Sequence, residues 1–343
     1  MRQDRIYSAV HKQIETKVVT RKQMPNDPLL YEVALPLVTT YFPLGFPVRI
    51  TTNSRDVIEA AEEKWKCCED RFGVTPLDVR FAVDEDSQSE RPPAVFPTGY
   101  ANLISIVHAA DNFAVIDLFR GSSFSWLTPA VVTDRGYFLY HFLEPVVYLL
   151  LGALHLAPIH AACVALDQSG VLILGDSGAG KTSLAYACAR RGWTYVGDDG
   201  IFLVRPGTER KILGRHREIR FRSSATLLFP ELAHYPAVQR PNEKLDLELK
   251  TADLGFPCTS AEMRVDYLVF LNRAFSGPAG LQSAERCRAE AWLEQVLHVH
   301  EKGIREAQRK SLGQLLNLPI FELRYRDPND GEEVLRSLIS HAG

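Results

Sequence analysis

Apolar positions along this chain keep two rhythms, one on each side of a long apolar stretch near its middle. Before it, Phe46–Thr51 alternates apolar and polar residues from Val48 on, and Leu77–Val83 does the same, the period of a strand with one buried face. Between them, DVIEAAEEKWKCCEDRF (Asp56–Phe72) carries Val57, Ile58, Ala61 and Trp65 at helical spacing, with Asn53-Ser54 placed to cap its start. Leu103–His108 and Phe113–Leu118 predict two strands around a turn at Asp111-Asn112, while Asp84–Pro93 predicts a polar loop. The stretch Tyr137–Leu156 predicts a helix. After Ile159 the rhythm changes. Short apolar runs (Ala161–Leu166, Val171–Leu174, Thr194–Val196, Ile201–Val204, Val265–Leu271, Ile320–Tyr325) alternate with connections, several of them helical. The tail predicts two or three amphipathic helices, around Ala284–His300, Ile304–Leu316 and Glu332–His341. The expected layout is an arm (1–28), an α+β domain (29–135), a connecting helix (136–158) and an α/β domain (159–343), with the boundary inside 135–158.

Composition narrows the class. The 343 residues are 46% hydrophobic and 24% charged, the balance of a globular protein. Lys and Arg number 39 against 42 Asp and Glu, with no long run of either sign, so no broad attraction to nucleic acid or anionic lipid is expected. The six cysteines include no CxxC pair and no metal-ligand spacing, which points to a reducing compartment. The start, MRQDRIYSAV, lacks an apolar signal region, and Pro145–Pro158 is bounded by prolines and short for a bilayer span. A buried helix and a cytoplasmic protein without a membrane partner are the expectation.

Candidate chemistry concentrates in 171–200, VLILGDSGAGKTSLAYACARRGWTYVGDDG. Gly175-Asp176-Ser177-Gly178-Ala179-Gly180-Lys181-Thr182 fits GxxxxGK[ST] at every fixed position, with Ser183 next in the following helix. An apolar strand precedes it and the helix former SLAYACARR follows. In that setting glycines let backbone N–H groups converge on a phosphate, and the helix N-terminus adds positive potential. Lys181 can bridge the β- and γ-phosphates of ATP, and the Thr182 hydroxyl can ligate Mg²⁺. The plainer alternative is a glycine-rich turn with an incidental lysine.

A helix from Lys181 to Arg190, stopped by Gly192, would return as the strand WTYVG. A right-handed crossover puts that strand parallel to Val171–Leu174 and beside it. Asp198 and Asp199 then fall at its carboxyl end, on the edge that carries the glycine loop. Carboxylates there can hold Mg²⁺ and accept a proton from an attacking hydroxyl, although Asp-Asp-Gly alone is ordinary turn chemistry.

Together, residues 160–200 resemble the nucleotide-binding domain of the HPr kinase/phosphorylase family. The matching residues are His160, Gly175 to Thr182, Arg191-Gly192 and Asp198-Asp199, followed by Glu218-Ile219-Arg220. Phe221 stands where the family carries glycine, and the first 135 residues do not resemble its N-terminal domain. The resemblance implies a phosphate-loop fold of the phosphoenolpyruvate-carboxykinase-like kind. It implies Asp198 as catalytic base, Lys181 on the phosphates, and Thr182, Asp199 and Glu218 around Mg²⁺. His160 would line the site, and a homo-oligomer is implied. The absence of NKxD and LSGGQ motifs fits, as does VDYLVFL ending in Asn272 rather than in an acidic residue.

Arg215–Arg222 holds four arginines in eight positions. Alternation sets Arg220 and Arg222 on one face with Glu218. Arg220 is expected to face phosphate or an acidic substrate, and Arg215 and Arg217 to face solvent. Taken alone, His160 reads as a hydrogen-bonded core residue sooner than as a catalyst, and only its place in the resemblance brings the two readings level. Lys244 reads as a surface lysine, and His298, His300 and Glu301 as a helix surface. The expected activity is an ATP- and Mg²⁺-dependent kinase acting on a hydroxyl, serine foremost, of a protein or peptide, with reverse phosphorolysis as a relative. A nucleotide-dependent switch and a small-molecule kinase stay open.

Overall fold

Alternation in the first half builds a seven-stranded mixed sheet. Its strands are β1 (Leu37–Tyr41), β2 (Val48–Thr52), β3 (Leu77–Val83), β4 (Thr98–Tyr100), β5 (Leu103–Ala109), β6 (Asn112–Asp117) and β7 (Ser122–Leu127), in the order β1-β2-β3-β7-β6-β5-β4. The computed structural model describes residues 33–207, 209–239, 245–273, 277–297 and 301–342. The arm 1–28, Lys244, His298 and His300 lie outside them. Helix α1 (Arg55–Trp65) stops well short of Phe72. The cap is not the expected one. Ser54 makes no side-chain cap bond, and the Asn53 amide instead pairs with both backbone groups of Val83, at 2.8 Å each. Strand β7 escapes the apolar pattern because two of its inward positions are Ser123 and Ser125, both buried.

The middle apolar stretch forms α2 (Pro129–Thr133) and the helical run α3 (Arg135–Leu154), which contains a π turn at Leu139–Leu143. By length and composition α3 could cross a membrane. Here Phe138, Phe142, Val146, Val147, Leu150 and Leu151 are fully buried in the core under the first sheet. That core also takes in Phe202, Leu213 and Ile304 from the second half. From Leu37 on, the chain is one compact unit.

The second half continues with β8 (Leu156–Ile159), β9 (Ala162–Leu166), β10 (Ser169–Leu174), α4 (Lys181–Arg190), β11 (Thr194–Gly197), β12 (Ile201–Val204) and β13 (Lys211–Gly214). Then come β14 (Glu218–Arg222), β15 (Val238–Gln239), β16 (Leu245–Lys250), β17 (Glu262–Asn272) and β18 (Gly280–Ser283). The chain closes with α5 (Arg286–Gln295), α6 (Lys302–Gly313), β19 (Ile320–Arg324) and α7 (Pro328–Ala342). Helix α4 has the bounds its sequence predicts, whereas α5 is shorter at both ends than its apolar pattern. The larger sheet runs β11-β9-β10-β17-β13-β12-β8, with β19 beside β17 and β18 beside β19; β14, β16 and β15 form a small third sheet.

One expectation about this sheet fails in a way that matters for the site. The returning strand β11 is not beside β10. A two-residue turn at Asp167-Gln168, with φ of 48° and 67°, folds β9 back onto β10. Positive φ at both turn residues is the tight hairpin geometry, and nothing like Asn-Gly advertised it. β11 then pairs antiparallel with β9, so it runs parallel to β10 but one strand away. Its carboxyl end still reaches the edge where β10 ends.

Helix α7 clamps the far end of α4. Glu332, fully buried, accepts from Trp193 Nε1 at 2.7 Å, Arg191 Nη1 at 2.6 Å and Arg336 Nε at 2.8 Å. Charge-assisted bonds in a dry site are strong, and orphaning their partners is costly. Glu332→Ala leaves the buried Trp193 N–H without its acceptor and is expected to lower the urea-unfolding free energy by about 3 kcal/mol or more. A loss below about 1 kcal/mol would show that this clamp does not hold α4.

Candidate active site

The site begins where β10 ends. Gly175–Gly180 turn between Leu174 and Lys181, and the helix starts on Gly180, whose φ is 99°. The left-handed backbone demands glycine there, and a Cβ would also sit 2.8 Å from Arg273 Cδ and displace that side chain. Leu184 N–H is bonded to Gly180 O at 2.9 Å. The amides of Lys181, Thr182 and Ser183 come before that first helical bond and point out of the helix end. Ala179 N–H closes the loop onto Asp176 O at 3.1 Å.

Lys181 is only 5% exposed. Its ammonium donates to the carbonyls of Gly175 (2.9 Å) and Asp176 (3.1 Å), folded back over the loop. Burial pushes its pKa down, while Asp199, Asp176 and Asp198 pull the other way. Thr182 Oγ1 donates to Asp198 Oδ2 at 2.7 Å. The other oxygen of Asp198 accepts from the Tyr195 hydroxyl at 3.0 Å, and that hydroxyl also lies 3.2 Å from the Glu218 carbonyl oxygen. The glycine loop and the first aspartate are therefore one structure.

The two adjacent carboxylates are driven apart. Asp198 is buried, and burial followed by the neighbouring Asp199 charge raises its pKa from 3.8 to about 6; bonds from Thr182 and Tyr195 and the Arg220 charge only partly offset this. Asp199 is exposed, at φ 53°. Its pKa is lowered, first by the hydrogen bond to His160, whose Nε2 lies 3.2 Å from Asp199 Oδ1. Neighbouring acids with separated pKa values can take separate roles, one handling protons and the other staying charged.

Strand β14 presents Glu218, Arg220 and Arg222 on one face because Ile219 and Phe221 are buried on the other. Arg222 Nη2 donates to Ser177 Oγ at 2.9 Å, tying this strand to the loop. Arg220 Nη2 lies 3.7 Å from Glu248, while its buried Nε has no hydrogen-bond partner among the described residues. Glu218 does not join Thr182 and Asp199. Its Oε1 is taken by Arg215 and its Oε2 by Lys64 at 3.3 Å. Burial would raise its pKa, but the Arg215 and Lys64 charges outweigh it and hold the carboxyl at about 2. A carboxylate so engaged is not open to a metal. Nor does Arg215 face solvent: it is mostly buried between Glu144 and Glu218.

Among the described residues no three His, Cys, Asp or Glu side chains are grouped to hold a metal ion. Mg²⁺ does not need such a cage. It binds through one or two carboxylates together with phosphate oxygens and water. The Thr182 hydroxyl beside Asp198, with Asp199 next to it, fits that donor set.

Several of these partners carry no motif. Tyr195 lies in an ordinary apolar strand and Lys64 on a distant helix, while Arg222 falls outside the matched Glu-Ile-Arg triplet. Only the alternation of β14 hinted at Arg222. No protein-family model and no curated protein matches the sequence. Among solved structures, the Hpr(Ser) kinase/phosphatase from Coxiella burnetii is similar at 15% identity over 54% of this chain and 99% of that one, with a TM-score of 0.29. So distant a likeness carries no argument about the chemistry here.

The raised Asp198 pKa makes a stability prediction for the protein alone. Because the folded state binds this proton more tightly than the unfolded state, the ionised carboxylate is a burden above pH 6, and the burden fades as pH falls toward 4. Asp198→Asn is expected to raise the unfolding free energy at pH 8 by at most ~3 kcal/mol, read as a higher melting temperature, and to change little at pH 4. A variant less stable than the parent at pH 8 would contradict this account of the site.

Proposed function

We propose that this protein is an ATP- and Mg²⁺-dependent kinase that transfers the terminal phosphoryl group to a hydroxyl, a serine of a protein or peptide. What supports the reading most is the hydrogen bond from Thr182 to Asp198, which joins the loop-borne helix start to a buried carboxylate of raised pKa. A glycine loop without a nearby carboxylate could bind phosphate; with one, it can also take a proton from a hydroxyl. The sequence resemblance to HPr kinases supplies the class of acceptor.

In this reading the loop amides and the amides of Lys181 to Ser183 cradle the phosphates of ATP. Lys181 exchanges the carbonyls of Gly175 and Asp176 for phosphate oxygens, charge for partial charge. Asp198, ionised at neutral pH, accepts the proton of the attacking hydroxyl. His160 keeps Asp199 charged and oriented, and Arg220 faces the developing negative charge with its unpartnered Nε. Mg²⁺, held by Thr182 and Asp199 with the phosphates, would neutralise charge on the transferred group. In the related phosphorolysis, inorganic phosphate would take the phosphoryl group from the phosphorylated serine, giving pyrophosphate, while Asp198 returns the proton to the serine oxygen. The fold is assigned to the phosphoenolpyruvate-carboxykinase-like kind, and the setting to the cytoplasm.

Incubating the protein with γ-labelled ATP, Mg²⁺ and cell extract is expected to place label on protein serine. Asp198→Ala should reduce that label by about 10²–10⁴-fold, and chelating Mg²⁺ should abolish it. Equal labelling by parent and variant would refute the assignment.

A further inference from the structure

The edge that carries the loop also has a second flank. β17 and β19 run parallel to β10 and end at the same edge. Asp198 and Asp199 follow β11, two places from β10 on one side; Arg273 and Tyr325 follow β17 and β19 on the other. The loop thus has acids to one side and an arginine–tyrosine pair to the other.

That pair is built against the loop itself. A Cβ on Gly180 would lie 3.2 Å from Arg273 Nη1 and 3.4 Å from the Tyr325 hydroxyl. Tyr325 is 1% exposed, and its hydroxyl has no hydrogen-bond partner among the described residues. An unpartnered buried hydroxyl is costly, so one aimed at a phosphate loop calls for a ligand group. Its ring is packed from below by α7, where a Cβ at Gly331 would come within 3.0 Å of it. The Arg273 guanidinium stands over that ring, 5.9 Å from its centre, and is half-buried. It makes only a long bond, 3.4 Å, to the Arg326 carbonyl and has no carboxylate partner among the described residues. The neighbouring polar groups are already engaged: Glu322 holds Asn272 at 3.1 Å, Arg324 at 2.8 Å, and Arg288.

From these observations we infer that Arg273 and Tyr325 form the nucleoside-binding flank of the site, taking the base and sugar of a nucleoside triphosphate. The inference rests on the proposed nucleotide site and adds its polarity. If the terminal phosphate lies toward Asp198 and Thr182, the chain of phosphates leads away from them, across the loop, toward β17 and β19. The group emerging there is the nucleoside. A guanidinium plane stacks on a base as no ammonium can, and the Tyr325 hydroxyl offers a hydrogen bond to the sugar.

Inorganic tripolyphosphate separates the two halves of the ligand. Calorimetric titrations of the full chain with ATP and with tripolyphosphate, both with Mg²⁺, should show Arg273→Ala binding ATP about tenfold more weakly, with tripolyphosphate changed by less than about twofold. Arg273→Lys, which keeps the charge but loses the plane, should resemble Arg273→Ala. Tyr325→Phe deletes one unpartnered oxygen without disturbing packing, and should weaken ATP a few-fold while sparing tripolyphosphate. Equal losses for both ligands would make Arg273 a phosphate-binding cation and overturn the inference. So would unchanged ATP affinity in Arg273→Ala and Tyr325→Phe. A parent protein that binds tripolyphosphate but not ATP would defeat this inference alone; one that binds neither would defeat the nucleotide site as well.

Discussion

The hydrogen bond from Thr182 to Asp198 spans 16 positions of sequence and closes the crossover from β10 through α4 to β11. It sets a hydroxyl at a helix start against a carboxylate at a strand end. Everything assigned to the site depends on that closure. It is also an uneasy contact, because the carboxylate is buried beside a second one and is only partly compensated by Thr182, Tyr195 and Arg220. Burying an anion without a matched cation is unfavourable. Either a proton or a metal ion relieves the strain, which is why such a carboxylate suits a site that binds a cation and moves a proton.

The first half of the chain is bound to this site through charge as well as through a shared core. Lys64, on α1, lies within 3.4 Å of Glu144 on α3 and 3.3 Å of Glu218 on β14. Arg215 bonds both glutamates. The cluster fixes the start of β14, and β14 carries Arg220 and Arg222 toward the loop. Buried ion pairs add little net stability but are unforgiving of rearrangement. Their effect here is geometric: the arginine face of β14 is held in place from the other half of the molecule.

What could be read from the sequence followed from how local each signal was. Helix α4, the glycine loop before it and the acids after it lie within 30 residues, and strand, loop and helix each declare themselves in apolar pattern and glycine spacing. The insertion of β9 between β10 and β11 was not legible, because a hairpin through Asp167-Gln168 has no distinctive composition. Strand β7 was hidden by its buried serines. Glu218 shows the limit of motif reasoning. Its place in the Glu218-Ile219-Arg220 triplet matched an expected metal donor, but Lys64, 154 positions earlier, takes one of its oxygens. Arg273 and Tyr325 meet only because β17 and β19 are neighbours in the sheet, a pairing no local pattern predicts.

The central claim is that the loop and the twin acids share one metal–polyphosphate site. A crystal structure of the full chain with Mn²⁺ and a non-hydrolysable ATP analogue tests it most directly. The account predicts anomalous density for the metal in direct contact with Thr182 Oγ1, with the terminal phosphate on the Asp198 side of the loop. Metal or phosphate bound elsewhere, with the Thr182–Asp198 bond undisturbed and the loop amides unused, would contradict it.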